Sequence, residues 1–315
     1  MPCLKILKII LLVIDQVKAN KIYKSISHKN IIMKIRPFKL VLICFLFISA
    51  ITNAQVADTI FFQKYAINQK FIYVQIDGKN YKFLFDTGAG LTFISDELAS
   101  SMKMKIEGVT TQFSKEGKRQ EFKKGESLML KIGKTFLLQK QVAIMNPIIN
   151  SNTGLPKMDG IVSLKTFEGQ IISIDLENNF LLIETNKSFS DKSKLMLPIA
   201  STFSDGINGN ELNVFLNVSA KGKALSMKFE TGNNDRVLLS KQSAKLLNLA
   251  TDSILSTTDI VKTGDVGFVI HSAVAENLTT ITKDLIYDGI FNYAFIAGYN
   301  FTLDLSKQKV FFTPY

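Results

Sequence analysis

Hydrophobic and polar positions alternate in short runs along the chain, which is the period of β-strands that bury one face. Clear examples are Ile72–Ile76 and Val214–Val218, each followed by a glycine-containing turn and a second apolar run. Both stretches therefore predict a β-hairpin. Few windows are long enough for helices, apart from Ser95–Met104 and Ser240–Asn248, each opened by a serine that can cap the first turn. The pattern predicts a mainly β protein.

Two parts of the chain repeat the same framework of residues. Lys82–Gly88 and Ser226–Gly232 form one matching pair, reading KFLFDTG and SMKFETG. Asp159 and Asp288 each open an Asp-Gly-Ile segment, and each lies sixteen residues before an Asp-Leu pair. Because equal spacing over such a length is hard to obtain by accident, the sequence predicts a tandem duplication of one β-rich lobe.

Four aspartates belong to this framework but lie outside the two acidic loops: Asp159, Asp175, Asp288 and Asp304. Aspartate at a turn or strand end commonly accepts hydrogen bonds from nearby backbone amides. We therefore interpret all four as structural residues rather than catalytic ones.

The repeat divides the chain into a leader and two lobes. We expect residues 1–54 to be the leader, residues 55–190 an N-terminal β lobe with Asp-Thr-Gly, and residues 191–315 a C-terminal β lobe with Glu-Thr-Gly. The junction falls near Ser188–Asn210, a stretch rich in serine, glycine and aspartate that is typical of a linker.

The leader has the residue order of a secretory signal. Basic residues precede the apolar run Leu40–Ile48, and small residues follow it up to Ala54. The run is too short to span a bilayer comfortably, so we expect cleavage after Ala54 and an exported protein, periplasmic or secreted, without a stable membrane anchor. Residues 1–32 are either a second targeting element or, more simply, the product of a start codon placed upstream of a true start at Met33.

The formal charge of +11 is concentrated in the leader. Residues 1–54 hold nine lysines and arginines and one acid, which leaves 29 basic and 26 acidic residues, a net charge of +3, for the remainder. That balance is typical of an ordinary solvated surface and argues against a basic nucleic-acid groove. We expect no nucleic-acid partner.

The body of the chain offers few groups for catalysis. Both cysteines, Cys3 and Cys44, lie in the leader, which excludes disulfides, cysteine nucleophiles and thiolate metal sites from the lobes. His271 is the one histidine of the body and is interpreted as a strand residue. No phosphate loop, dinucleotide fingerprint or metal-ligand cluster is present in the sequence, so we expect no metal and no cofactor. Carboxylates, hydroxyls, amides and lysines remain.

The segment Phe85–Ala89, reading FDTGA between apolar strands and followed later by Asp159-Gly-Ile, resembles the active-site region of aspartic proteases of the pepsin and retropepsin clan. The bacterial retropepsin-like type is the most similar, and the resemblance spans about residues 59–315. It implies a mainly β, two-lobed acid-protease β-barrel fold with the active site at the lobe interface, where one loop from each lobe meets the other.

The resemblance implies that Asp86 and Glu230 are the catalytic carboxylates. Two carboxylates a hydrogen bond apart share one proton, so that one serves as base and the other as acid while a water attacks a peptide carbonyl. We expect an exported aspartic-type endopeptidase that acts on polypeptides as a monomer with pseudo-twofold lobes. The residues expected to shape the active-site loops are Thr87, Gly88, Ala89, Thr231 and Gly232.

The second loop departs from the family pattern. Glu230 stands where the family has aspartate, and one additional methylene moves a carboxylate by about 1.5 Å, more than dyad geometry usually tolerates. The residue after the loop glycine is Asn233 rather than a small one, and Asn234, Asp235 and Arg236 follow it. Either the Asp86/Glu230 pair still works, or the protein is a catalytically inactive peptide- or protein-binding module. The sequence leaves both open.

The first lobe is longer than the second. Its interval from the acidic loop to the Asp-Gly-Ile segment is 73 residues, against 58 in the second lobe. The additional residues fit a substrate-covering flap hairpin with a polar tip at Phe113–Arg119, in which Phe113, Ser114 and Gly117 are candidate substrate-binding residues. A solvated hairpin without a gating role is the alternative.

Overall fold

Strands dominate the fold, as the alternating pattern predicts, and the mainly β class is confirmed. The structure, a computed structural model, describes residues 57–66, 68–145, 156–206, 209–234, 236–249, 262–271 and 274–314. The predicted leader, the start at Met33 and the cleavage site after Ala54 lie outside the described residues. No helix of the described ranges is long and apolar enough to cross a bilayer.

The described residues of the first half form thirteen strands and three helical segments. They are β1 Asp58–Phe61, β2 Gln63–Lys64, β3 Lys70–Ile76, β4 Lys79–Phe85, β5 Phe93–Ser95, α1 Asp96–Ser101, β6 Ile106–Phe113, β7 Arg119–Gly125, β8 Leu128–Ile132, β9 Thr135–Gln139, β10 Val142–Met145, β11 Gly160–Val162, a 3-10 helix Leu164–Phe167, β12 Ile171–Asp175, β13 Phe180–Glu184 and α2 Asn186–Ser193.

The second half begins after α2 and repeats most of this order in its described residues. Its elements are β14 Leu197–Ile199, β15 Ser201–Ser204, β16 Asn213–Ala220, β17 Lys223–Phe229, β18 Val237–Ser240, α3 Lys241–Leu246, β19 Lys262–His271, β20 Val274–Lys283, β21 Gly289–Phe291, α4 Tyr293–Ala297, β22 Tyr299–Asp304 and β23 Lys309–Pro314.

A six-stranded sheet joins the two halves, in the order β1-β13-β12-β22-β23-β14. Its central strands β12 and β22 are antiparallel, with Ser173 opposite Thr302 and their hydroxyl oxygens 2.7 Å apart. Moving outward from that pair, each side presents corresponding strands of the two halves. The sheet therefore has a pseudo-twofold centre, as a tandem duplication requires.

Each half also has a curled sheet of its own, and the two share a central strand order. The first runs β6-β7-β10-β5-β11-β4-β3-β8-β9, and the second runs β15-β16-β17-β21-β18-β20-β19. The five-strand order β3-β4-β11-β5-β10 corresponds to β16-β17-β21-β18-β20. Strand β19 pairs with both β20 and β16, which curls the second sheet onto itself. The predicted two-lobed arrangement is confirmed.

A continuous core of buried apolar side chains extends through both lobes and the joining sheet. Its aromatic members pack ring against ring, for example Phe229 against Phe301 at a centroid distance of 5.0 Å and Phe291 against Phe295 at 4.0 Å. Burial of side chains of this size is the main source of stability in such lobes, at about 25 cal/mol per Å² removed from water. This core fixes the strands from which the acidic loops emerge.

The helices begin where the serine caps predict but end earlier than expected. The side chains of Ser95 and Ser240 accept hydrogen bonds from the third residue beyond each cap. Helix α2 overlaps the start of the stretch predicted as a linker, and Thr185 and Ser188 form a reciprocal capping box at its beginning. It contains no buried residue, and so it has no apolar periodicity to predict it. The expected lobe boundary at residues 190 and 191 falls inside this helix and stays a prediction.

The structural interpretation of the four repeated aspartates is confirmed. Each carboxylate accepts a hydrogen bond from a backbone amide, and the corresponding members of the two lobes do so in the same way. The acceptor and donor residues, with their O···N distances, are Asp159 and Lys82 (2.8 Å), Asp288 and Ser226 (2.8 Å), Asp175 and Asn178 (2.8 Å), and Asp304 and Lys307 (2.9 Å).

Candidate active site

Two acidic loops leave equivalent strand ends, one in each lobe. Strand β4 ends at Phe85 and lies parallel to β11, whereas β17 ends at Phe229 and lies parallel to β21 in the same register. Each loop then makes the same turn, since the third residue after the carboxylate residue donates its amide to the carbonyl of that residue at 3.4 Å. The duplicated backbone thus presents Asp86 and Glu230 at matching positions.

The two threonines of the loops lock them together reciprocally. The amide of Thr87 donates to Oγ1 of Thr231 at 3.1 Å, and the amide of Thr231 donates to Oγ1 of Thr87 at 3.0 Å. Each hydroxyl in turn donates to a carbonyl at the end of the opposite strand, that of Phe229 at 3.0 Å and that of Phe85 at 3.4 Å. Both threonines are buried, so these bonds form away from competing water.

Each loop glycine makes room for the carboxylate of the opposite loop. A Cβ at Gly88 would lie 2.1 Å from Cγ of Glu230, and a Cβ at Gly232 would lie 2.6 Å from Oδ2 of Asp86. Contacts this short exclude any side chain larger than hydrogen. The structure therefore brings the two predicted carboxylates together, and the longer glutamate extends over Gly88.

Asp86 lies in a setting that favours its protonated form. Burial raises its pKa from 3.8 to about 6, and the negative charge of Glu230 adds to the shift. Backbone amides of Gly88 and Gly232 and the charge of Lys228 oppose the shift. The Gly88 amide donates to Oδ1 at 2.8 Å. A carboxyl with this pKa changes its protonation state in mildly acidic solution.

Sequence reasoning missed a buried lysine beside the pair. Nζ of Lys228 donates to the carbonyl oxygen of Gly88 at 2.7 Å and lies 3.7 Å from Oε2 of Glu230. It also lies 5.3 Å from the ring centroid of Tyr287, within cation–π range. The alignment of the repeats contained the signal, because Leu84 occupies the corresponding position in the first lobe.

Two further residues missed by sequence reasoning surround this lysine. Burial raises the pKa of Tyr287 to about 12, and the charges of Glu211 and Glu230 contribute. Burial also raises the pKa of Glu211, against the hydrogen bond from Asn213 at 3.1 Å and the charge of Lys228. The acidic pair therefore lies within a larger group of interacting charges.

The predicted flap is a hairpin of β6 and β7 that reaches the second lobe. At its tip the carbonyl of Lys115 accepts a hydrogen bond from the amide of Ile286 at 3.0 Å, and a Cβ at Gly117 would lie 2.7 Å from Cγ2 of Ile286. Ser114 is used inside the tip, where its hydroxyl accepts from the amide of Lys118. Phe113 ends β6 and is exposed.

The flap also contacts the first acidic loop. Gln112, one residue before the predicted tip, donates its side-chain amide to the carbonyl of Ala89 at 2.5 Å. Near its tip the hairpin thus touches both the first loop and the second lobe. In the described part of the second lobe, β19 lies beside β20 as β7 lies beside β10, and no strand there corresponds to β6.

Comparison with known proteins fits this geometry. Residues 72–155 match the family model described as gag-polyprotein putative aspartyl protease. This part of the chain is therefore similar to aspartyl proteases. The match covers the first acidic loop and the flap, but not the second loop. The predicted resemblance to aspartic proteases is confirmed.

Over a longer part of the chain, the fold is shared with solved structures. The chain is similar to conglutin gamma, a basic 7S globulin from lupine seeds, with 7% identity and a TM-score of 0.50 over 82% of this chain and 94% of that chain. At this identity the likeness concerns the fold alone, and it supports the two-lobed acid-protease architecture. Comparison with curated proteins gives no match.

Proposed function

We propose that the protein is an exported aspartic-type endopeptidase that hydrolyses peptide bonds through a water activated by the Asp86/Glu230 pair. The observation that carries the proposal is the reciprocal arrangement of the two loops, in which each carboxylate lies against the glycine of the other. The threonine hydrogen bonds hold that arrangement with little freedom. A protease-type function also agrees with the family match of the first lobe.

The proposed reaction needs one proton on the pair. The ionised carboxylate takes a proton from the bound water as the water oxygen attacks the peptide carbonyl carbon, while the protonated carboxyl donates to the carbonyl oxygen. The tetrahedral intermediate then collapses as the C–N bond breaks and the leaving nitrogen receives a proton from the pair. The pKa of Asp86, about 6, supports a singly protonated pair in mildly acidic solution.

An extended polypeptide is the substrate that best suits the site. The hairpin β6–β7 reaches from the first loop to the second lobe, so an extended chain beneath it could add as a strand and use its backbone groups for binding. Phe113, Ser114 and Gly117 would then form or shape the substrate-facing flap. Export, in this proposal, rests on the leader, and the working form is a monomer.

A catalytically inactive binding module is the second candidate. The observation that favours it is Glu230, which lies outside the family match and replaces the aspartate of the family pattern. In that case the cleft would hold a peptide without cleaving it.

The test is cleavage of an unfolded protein by the purified product of the full chain between about pH 3 and pH 8. Asp86→Asn should reduce cleavage at least about a hundredfold, because it removes the ionisable group. Asp77→Asn is the matched control, since Asp77 lies in an exposed turn at a positive φ that asparagine accepts. Cleavage by Asp86→Asn at the parent rate would refute the proposal. N-terminal sequencing of the same preparation should give Gln55 first if the leader is removed as proposed.

A further inference from the structure

The two acidic loops differ in one buried position whose chemistry the duplication does not explain. Leu84 and Lys228 each lie two residues before the carboxylate residue and occupy the same register beside β11 and β21. Leu84 packs in an apolar cluster with Leu91 and Ile161. Lys228 is equally buried, with 6% of its surface exposed. A buried ammonium group is costly unless charged or polar partners compensate it.

The partners of Lys228 come from three different segments. The first loop supplies the carbonyl of Gly88 at 2.7 Å, its own loop supplies the carboxylate of Glu230 at 3.7 Å, and the segment before β21 supplies the ring face of Tyr287 at 5.3 Å. Because one of these groups belongs to the opposite loop, the lysine connects the two halves of the acidic pair.

The titratable groups around Lys228 do not all make the same kind of contact with it. The titratable groups that interact with it are Glu230 at the end of its own strand, Asp86 in the first loop, Glu211 before β16 and Tyr287 before β21. Glu230 makes the ion-pair contact, whereas for Asp86 the repulsion by Glu230 outweighs the attraction by Lys228. Lys228 therefore favours negative charge on Glu230 more than on Asp86, with which it forms no ion pair in the described part of the chain.

We propose that Lys228 is a positioning residue that keeps Glu230 ionised and leaves the shared proton on Asp86, so that Glu230 is the base and Asp86 the acid. The assignment of roles rests on the proposed function, whereas the assignment of charge does not. The same contact explains how the longer glutamate is tolerated. Lys228 holds both the carbonyl of Gly88 and the carboxylate of Glu230, which extends over that glycine.

The pair can be tested residue by residue because one member is an aspartate and the other a glutamate. Selective ¹³C labelling of aspartate or glutamate carboxyls lets NMR follow each titration separately. Lys228→Leu copies the residue of the first lobe. Lys241→Leu is the matched control, since that lysine also pairs with a carboxylate, that of Asp284 at 2.8 Å, but is exposed.

In Lys228→Leu we expect the titration of Glu230 to move upward by about one pH unit and that of Asp86 by less, because the lost cation was closer to Glu230. The acid limb of the cleavage profile should move with it, and kcat should fall about tenfold with KM little changed. Lys228→Arg should keep the order of titration, because it keeps the charge. If Lys228→Leu fails to fold, Lys228→Met provides the same measurement with an unbranched side chain.

The outcomes separate the two proposals. A parent without cleavage whose Glu230 titration moves in Lys228→Leu would overturn the protease function and support the charge assignment. A parent with cleavage whose profile and Glu230 titration do not move in a folded Lys228→Leu or Lys228→Met would overturn the role of Lys228 alone. An equal shift in Lys241→Leu would also overturn it, because the effect would then not belong to the buried contact.

Discussion

In the first lobe Asp86 follows an apolar strand, whereas in the second lobe Glu230 follows a strand that carries a buried lysine. The backbones of the two loops are nevertheless equivalent, with the same register, the same turn and the same amide-to-hydroxyl bonds between threonines. The interlocked parts of the loops have kept their symmetry, whereas the carboxylate residues and the buried side chains two residues before them have not.

This difference follows from what each group contacts. Thr87 and Thr231 bond to each other, and each carboxylate packs on the opposite glycine, so a change on one side must be matched on the other. Leu84 and Lys228 occupy equivalent positions but are not bonded to each other, so one residue can change without the other. A duplicated site can therefore become chemically asymmetric without losing its backbone symmetry.

Changing Glu230 itself should have the strongest effect on the site. Glu230→Gln should lower kcat/KM at least about a hundredfold, because the amide cannot take a proton from water. Glu230→Asp gives both loops the same acidic residue, but it withdraws the carboxylate by about 1.5 Å from its position over Gly88, so we expect an approximately tenfold loss. Steady-state cleavage of a peptide measures both.

Glu177→Gln, at an exposed turn, is the control for these variants. Parent-like cleavage by Glu230→Gln would remove Glu230 from the mechanism. A gain of cleavage in Glu230→Asp from a silent parent would support the binding module instead.

The buried carboxyl of Asp86 should also make the stability of the protein depend on pH. The pKa of Asp86 is raised from 3.8 to about 6, so the folded state binds this proton more tightly than the unfolded state. The parent therefore loses stability as the pH rises through this range. Asp86→Asn cannot carry this charge, so it should be more stable than the parent at high pH. The difference in the free energy of unfolding between variant and parent should be near zero at about pH 4 and on the order of 1–3 kcal/mol above about pH 7.

Urea unfolding at both pH values measures this difference. Asp77→Asn should show the same free energy difference from the parent at each pH, because its carboxylate is exposed. A gain from Asp86→Asn that is as large at pH 4 as at pH 7.5 would contradict the proposed origin in a buried charge.

Much of the fold could be predicted because its signals are local. Alternation, turn glycines and serine caps are properties of a few neighbouring residues, and the equal spacing of the repeat indicated the duplication. The pairing of β12 with β22 could not be predicted in the same way. It depends on the association of two lobes, which places Ser173 opposite Thr302.

The residues of the candidate site could also be predicted only in part. Asp86 and Glu230 were indicated by a repeated motif, and the structure brings them together. The role of Lys228 was not indicated, because its hydrogen-bond partner Gly88 lies 140 residues away in the sequence. A charged residue at an apolar position of a repeat is a signal only when the partner that compensates it is known.

The smallest expected effect concerns the flap, which the first lobe has and the described part of the second lobe lacks. Ile286 gives the flap tip an amide hydrogen bond to Lys115 and a side-chain contact at Gly117. Ile286→Ala keeps the backbone bond and removes the side-chain contact. If that contact holds the flap over the substrate, KM for a peptide should rise roughly two- to fivefold while kcat changes little.

Leu246→Ala, at a similarly exposed apolar residue of the same lobe, should leave KM unchanged. Equal KM values for the parent and both variants would favour the solvated hairpin, which makes no use of its contact with the second lobe.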